Sequence, residues 1–460
     1  MSYTESFTSR RRIAAGLLLC AVPLAAPSVH AQKYNVVEIV SQNPSIDSRY
    51  LDPRAIFDDG TVVGWANNGT NEYIWSWNVY TNVFTTRQSV PNAYDIDARG
   101  YVPSQDRMYG HQNFGGTAGY SYDAAGNKYF IGDSRIKTIK YAWNNGFGST
   151  YVYGRCDYLG SDRGYYYNVE SNRLTIVGTS FGDSCWINSG NNDLDMCGGF
   201  SSGGVTQGFV YIRSRPSQMT GFLPGDERSE AFAMNESVQV VGSSWDTNTD
   251  FNYRAFLWNY NNGSPTMIDL GNLSYESQTY ARDISNSGMV VGTDFAAARA
   301  FFWKDGAIAD LNSIADRSAG WLLEEAEGIS DNEELIAGVG RLNGTTRAFV
   351  LLPKTFEIEL DGTCPGPATV IATGATPNAI VAIEYSHKGG SFIIPPSYPC
   401  AGLQIDMGLP LLPGSPATKR ADATGRAEFP ATIRSISCGI LRLQGIDVAT
   451  CTTSNLIVVQ

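Results

Sequence analysis

A small residue followed by an aromatic recurs along the chain at a nearly constant interval. The aromatics are Trp75, Tyr120, Tyr165, Phe209, Phe256, Phe301 and Phe349, each 44 to 48 residues after the last. The residue before each is Ile74, Gly119, Gly164, Gly208, Ala255, Ala300 or Ala348. The copy from Ala281 to Leu311 shows the unit most clearly. Ala281 to Ile284 reads as a strand, and Ser285-Asn286-Ser287-Gly288 as a tight turn, since Asn and Gly accept positive φ at low cost. Met289 to Gly292 and Arg299 to Trp303 follow as strands, and Lys304-Asp305-Gly306 turns the chain into Ala307 to Leu311. A repeated four-stranded unit of this length is the signature of a β-propeller blade.

The turn-and-strand half recurs at Asp58 to Gly64, Asn235 to Gly242 and Asp331 to Gly338. Degenerate copies are read at Asp97 to Val102, Asn144 to Gly154 and Glu170 to Gly178. Tyr34 to Val40 alternates as a fourth strand without its own first three, and the last repeat, ending at Leu352, lacks one. Ring closure follows: Asn35 to Val40 completes the blade begun by Ala326 to Leu352, which removes open sheet edges. The expected fold is all-β, a seven-bladed propeller over residues 32–353 followed by a small disulfide-bonded β-sandwich over 354–460.

Arg10-Arg11-Arg12, an apolar run from Ile13 to Ala26 and Val29-His30-Ala31 read as a secretory signal peptide, residues 1–31. The run is too short for a permanent membrane span. Removing it takes away three Arg and one Glu, moving the formal net charge from −12 to −14. An acidic chain with no clustered basic face repels nucleic acid and anionic lipid. The reading is a secreted, extracellular or periplasmic protein with no nucleic-acid partner and no membrane insertion.

Strands that alternate direction put the tight first-to-second and third-to-fourth turns on one face of the ring. The other face takes the second-to-third loops and the blade-to-blade connections, with Thr179 to Thr206 read as its longest loop. Variable loops on a rigid scaffold are where binding usually resides. Trp186, Trp245, Phe251, Tyr253, Tyr275 and Trp321 are assigned to this face, and Trp186, Trp245, Tyr253 and Trp321 are the candidate ligand-binding residues. Two readings compete: the rings pack over strand ends, or they grip a sugar or a partner protein. Arg254, Arg299 and Arg347 either line a channel or pair with nearby carboxylates.

Export permits disulfides, and Cys185–Cys197 would staple the long loop, leaving Cys156 unpaired; Cys156–Cys185 across blades is the alternative. Asp193 and Asp195 are candidate Ca²⁺ ligands, although their spacing matches no EF-hand and both are ordinary turn residues. No other cofactor is expected. Beyond the signal region only His111 and His387 remain, in different expected domains, so a Ser–His–Asp set or a His-based zinc site is disfavoured. No catalytic residue is assigned. Carboxylate-only chemistry stays open, with Glu324, Glu325, Glu327, Glu333 and Glu334 clustered near the loop face. Among the four C-terminal cysteines, Cys364–Cys400 and Cys438–Cys451 is the favoured pairing of three.

The repeat itself, Ala-x-x-Ile-Ser/Asn-x-x-Gly-x-Val-Val-Gly, then x-Ala-Phe-x-Trp, then Asp-Leu-Gly-x-Leu, resembles the HAF repeat of bacterial extracellular proteins. The resemblance is clearest from Ala231 to Leu273, through Arg254-Ala255-Phe256-Leu257-Trp258 and Asp269-Leu270-Gly271-Asn272-Leu273. Arg stands here where the His of the motif would be. The resemblance implies a propeller and an extracellular address, and it carries no catalytic residues. The C-terminal Cys-containing stretch resembles a module on exported bacterial proteins. The functional expectation is a non-enzymatic binding or scaffold protein recognising an extracellular polysaccharide or protein through the long-loop face. The alternatives are a carbohydrate-active enzyme with carboxylates near the channel, and a purely structural surface protein.

Overall fold

The computed structural model describes residues 34–460 apart from 92–96, 113–117, 124, 145–147, 181, 214, 247–251, 261–262, 275–277, 318 and 354–355. The signal-peptide reading, Phe251 and Tyr275 therefore lie outside the described residues. Among the described residues seven sheets follow one another around the ring, six of them antiparallel meanders and the seventh antiparallel but for one short parallel pair. The inner strands are Leu51–Ile56, Asp97–Val102, Ile136–Asn144, Ser184–Gly190, Arg228–Met234, Thr279–Ile284 and Trp321–Ile329.

The ring closes as the sequence predicts. Tyr34–Glu38 pairs antiparallel with Thr345–Pro353 as the outer strand of the seventh blade, with Val37 opposite Val350. The short Ala315–Asp316 then pairs parallel to the outer side of that strand. Arg347 holds Glu38 at 2.8 Å, which adds an ion pair to the closing seam. The same contact recurs in other blades, with Arg254 to Asp269 at 3.0 Å and Arg299 to Asp310 at 3.7 Å. The Arg of each Arg-Ala-Phe therefore pairs with a carboxylate on its own blade's outer strand, and the channel reading of these three is set aside.

The aromatic period has a partner. Trp75, Tyr120, Tyr165, Phe209, Phe256, Phe301 and Phe349 pair across the second and third strands with Gly64, Gly110, Gly154, Gly198, Gly242, Gly292 and Gly338. All but Tyr120 are fully buried, so they are core. Burying a ring of this size removes 150–250 Å² from water and dominates local packing energy.

The fourth blade corrects the sequence reading. Thr179 to Thr206 is not a loop: it contains the inner strand Ser184–Gly190 and the second strand Met196–Ser202. Asn191 to Asp195 is the tight turn between them, with the Leu194 N–H donating to the Asn191 carbonyl at 3.2 Å. Glu170 to Gly178 holds the outer strand of the third blade, Arg173–Val177. The turn there lacks the Gly and Val-Val signature of the other copies, which hid its strands.

On the tight-turn face, successive turns are stitched around the ring. The Asn192 N–H donates to the Glu236 carboxylate at 3.1 Å, and the Glu236 N–H to Asn286 Oδ1 at 3.1 Å. The Asn286 N–H donates to the Asp331 carbonyl at 3.1 Å, and the Asn332 N–H to Asp58 Oδ1 at 3.2 Å. Asn, Asp and Glu recur in these turns because each supplies an acceptor to its neighbour.

The C-terminal region stacks Glu357–Gly362, Gly366–Thr373 and Ala427–Ile433 against a sheet ordered Ala417–Arg420, Ile380–Ser386, Arg442–Asp447, Thr452–Val458. Ile358, Val370, Val381, Ile383 and Leu443 share its core, which makes it a sandwich. The disulfides are Cys364–Cys438 and Cys400–Cys451, so the expected pairing is corrected. Register explains the first bond. Gly366 lies opposite Ile433, which brings the turn holding Cys364 to the chain leaving Ile433 toward Cys438. Cys400 belongs to a strap over the second sheet and is tied to the turn after Arg442–Asp447. Disulfides are compatible with an oxidising compartment. No helix among the described residues is long and apolar enough to cross a membrane.

Candidate functional site

The inner strands surround a cavity of about 390 Å³ on the propeller axis. In six of them the register slips by one residue at the same place, between Pro53 and Ala55, Ile139 and Tyr141, Ile187 and Ser189, Ala231 and Ala233, Ala281 and Asp283, and Ala326 and Gly328. A bulge re-aims the side chain of the extra residue. Here those residues are Arg54, Lys140, Asn188, Phe232, Arg282 and Glu327, and all six line the cavity. Sequence reasoning missed this ring, because a bulge adds one residue without altering the hydrophobic alternation around it.

The charges in the ring are partnered within the protein. Arg54 pairs with Asp52 at 2.8 Å and Arg282 with Glu327 at 3.6 Å. Asn188 Nδ2 donates to Glu230 Oε1 at 2.9 Å. Burial, and next the Glu327 charge, push the Glu325 carboxyl above its ordinary value, with Arg282 acting the other way. At the tight-turn end Asp331 is likewise raised by burial and by Asp58, and Glu236 chiefly by burial.

Above this cavity, on the second-to-third-loop face, four aromatics meet between the fifth and sixth blades. Trp245 ends a second strand, Tyr253 opens a third, Tyr280 sits near the start of the next inner strand, and Phe295 lies in the following loop. Ring centroids are 5.3 Å apart for Trp245–Tyr253, 4.7 Å for Tyr253–Tyr280 and 5.3 Å for Tyr280–Phe295. Phe295 is 43% exposed and the other three are half-buried. The Arg282 guanidinium lies 5.3 Å from the Tyr280 ring centre. The result is a continuous, partly wet aromatic surface that leads to a polar cavity.

The sequence-derived candidates divide. Trp245 and Tyr253 belong to this surface, and Tyr280 and Phe295 were missed because they carry no motif and meet only through blade packing. Trp186 stands on the inner strand of the fourth blade, and its indole N–H donates to Glu230 Oε1 at 2.7 Å. Trp321 is only 5% exposed and packs edge-on against Phe349 at 6.0 Å, so its expected place on an open binding face is corrected. Cys185, Cys197 and Cys156 are buried free thiols, which overturns the Cys185–Cys197 staple. The strands forming that hairpin place Cys185 opposite Phe200 and Cys197 opposite Ser189, too far apart in register to bond.

Asp193 is exposed, and Asp195 is buried, where its carboxylate accepts from the Arg213 N–H at 2.9 Å. Among the described residues no group of three or more His, Cys, Asp or Glu converges to hold a metal. The expected acidic cluster also splits. Glu324 pairs with Arg341 at 3.0 Å, Glu325 and Glu327 are near Arg282, and Glu333 accepts from Ser285 Oγ at 2.8 Å in the tight-turn ring. His387 Nε2 lies 3.0 Å from Ser437 Oγ in the C-terminal region.

No family model and no curated protein matches the chain. Solved structures do. TolB from Acinetobacter baumannii matches at TM-score 0.41 and 11% identity over 64% of this chain, which spans 63% of TolB. A virginiamycin B lyase from Staphylococcus aureus matches at TM-score 0.44 and 11% identity, covering 70% of this chain and 100% of the lyase. The β-propeller domain of the Trilobed protease from Pyrococcus furiosus matches at TM-score 0.41 and 10% identity, covering 66% and 95%. The propeller assignment rests on the strand pairing above.

Proposed function

We propose that this chain is an exported, non-enzymatic binding protein that recognises an extracellular polysaccharide through the loop face of its propeller. The observation that carries the reading is the Trp245–Tyr253–Tyr280–Phe295 surface, whose rings lie 4.7–5.3 Å apart in sequence around a partly exposed patch. Aromatic faces offer large, rigid contact area at low entropic cost, and they pack against the apolar faces of sugar rings. A protein loop is the other ligand of the same chemistry. In this reading residues 1–31 are a signal peptide, 32–353 an HAF-like propeller and 354–460 an appended sandwich. No Ca²⁺ is needed for the aromatic contact.

The second reading, a carbohydrate-active enzyme, is favoured by one observation. Glu327 lines the channel cavity, and the nearby Glu325 carboxyl is raised by burial and by the Glu327 charge. Carboxyl pairs whose environments separate their protonation are what glycoside chemistry uses. Incubating residues 32–460 with a panel of polysaccharides and cell-wall fractions, with product analysis of every binder, separates the two. Retention without shortened products supports binding. Cleavage lost in Glu325→Gln supports the enzyme.

A further inference from the structure

The sandwich has a second cavity that its own core does not use. On the strand Ile380–Ser386, Val381 and Ile383 face the other sheet, so Ile380, Ala382 and Glu384 face away from it. That outer face is roofed by residues 392–411. The roof is held by the small ladder of Phe392–Ile393 with Gln404–Ile405 and by the Cys400–Cys451 bond. It seals only part of the face, where Ala382, Ile394, Ile405, Met407 and Ile446 pack together. The remainder is a cavity of about 460 Å³, inside the range of small-ligand sites.

The chemistry of the lining is one-sided. Isoleucine, leucine, proline and aromatic side chains make most of the wall, and Glu384 is the single charged residue in it. Ile393 and Leu409 leave more than half of their surface exposed at the rim, at 64% and 61%. Glu384 itself is 7% exposed, and it accepts one hydrogen bond, from Ser415 Oγ at 2.6 Å. No lysine or arginine pairs with it among the described residues. Burial raises this carboxyl above its ordinary value, so its charged form is costly unless a cation lies against it.

We infer that this cavity is a binding site for an apolar ligand carrying one cationic nitrogen, with the nitrogen seated against Glu384 and the alkyl or aryl body along the Ile393–Leu409 wall. The charge of the ligand follows from the lone carboxyl, and its apolar body follows from the rest of the lining. The site is independent of the propeller face.

The test is calorimetric titration of residues 32–460 with three probes of one chain length: octylammonium, octanol and octanoate. The expected result is octylammonium at least ~10-fold tighter than either other probe, the value of one good charge contact in a desolvated site. Glu384→Gln should cut that preference to under ~3-fold while octanol binding stays the same. Ser415→Ala, which keeps the carboxyl, should retain the preference even if the glutamine variant fails to fold. Ile393→Asn should weaken all three probes, and Trp245→Ala should change none. Equal binding of the three probes by the wild-type chain would overturn the inference. So would a preference that survives Glu384→Gln, or no binding of octylammonium.

Discussion

Gly242 lies directly opposite Phe256 in the fifth blade, and a Cβ on Gly242 would stand 1.9 Å from the Glu230 carbonyl oxygen and 2.9 Å from the Phe256 ring. That carbonyl lies on the inner strand just before the bulge at Phe232 and faces the second strand. The same approach recurs at Gly64, Gly154, Gly198, Gly292 and Gly338, where the nearest backbone oxygen would be 1.9–2.3 Å away. Bulge, glycine and aromatic are thus one device. The bulge aims a side chain at the channel, the glycine admits the displaced backbone, and the ring covers the glycine.

Substituting that glycine should therefore cost far more than substituting a turn glycine. Gly242→Ala is expected to lose at least about 3 kcal/mol in urea unfolding, because the clash is with backbone. Gly306, at φ +86° with nothing near its missing Cβ, should lose only about 1 kcal/mol as alanine. Equal losses would contradict the close-approach account.

The closing strand gives a second expectation. Val37→Pro removes a ladder donor opposite Val350, and it should cost about 3 kcal/mol and promote aggregation through the uncovered Thr345–Pro353 edge. Thermal unfolding with light scattering reads both. An unchanged midpoint would mean that the ring does not depend on this strand.

Glu325 predicts a pH dependence. Its folded-state value is raised, chiefly by burial, so the folded protein keeps this proton to higher pH than the unfolded chain does. The stabilisation is complete below the ordinary carboxylate range and is lost as pH rises through the raised value. Glu325→Gln should accordingly raise Tm by about 1–2 °C at pH 7 and leave it unchanged at pH 4. A drop at pH 7 would indicate that ion pairing with Arg282 outweighs burial.

Non-reducing peptide mapping should recover Cys364–Cys438 and Cys400–Cys451, with Cys156, Cys185 and Cys197 alkylated only after unfolding. Replacing Cys400 and Cys451 by serine should cost about 3 kcal/mol in the sandwich. A Cys364–Cys400 peptide would contradict the sheet register.

The sequence was most informative where chemistry repeats. Seven aromatics at one period were enough for blade number, and an unpaired Tyr34–Val40 strand was enough for closure. It was silent where a contact depends on blades meeting. Tyr280 and Phe295 join Trp245 and Tyr253 only in three dimensions, and Trp321 looks like an exposed loop aromatic until Phe349 is placed beside it. Disulfide pairing failed for the same reason: nearest cysteines in sequence are not nearest across a sandwich. Asn191 to Asp195 reads in sequence first as a turn and only second as a metal loop, and in the fold the Asp195 carboxylate accepts from the Arg213 N–H.

The central claim is that the loop-face aromatics bind while Trp321 only supports the fold. The most direct test is titration of whichever polysaccharide is retained, using wild-type residues 32–460, the Trp245→Ala/Tyr253→Ala pair and Trp321→Ala. The account predicts at least ~10-fold weaker binding for the pair with its Tm nearly unchanged. For Trp321→Ala it predicts wild-type affinity and a loss of about 3–5 kcal/mol of stability. Wild-type affinity in the Trp245→Ala/Tyr253→Ala variant would contradict it.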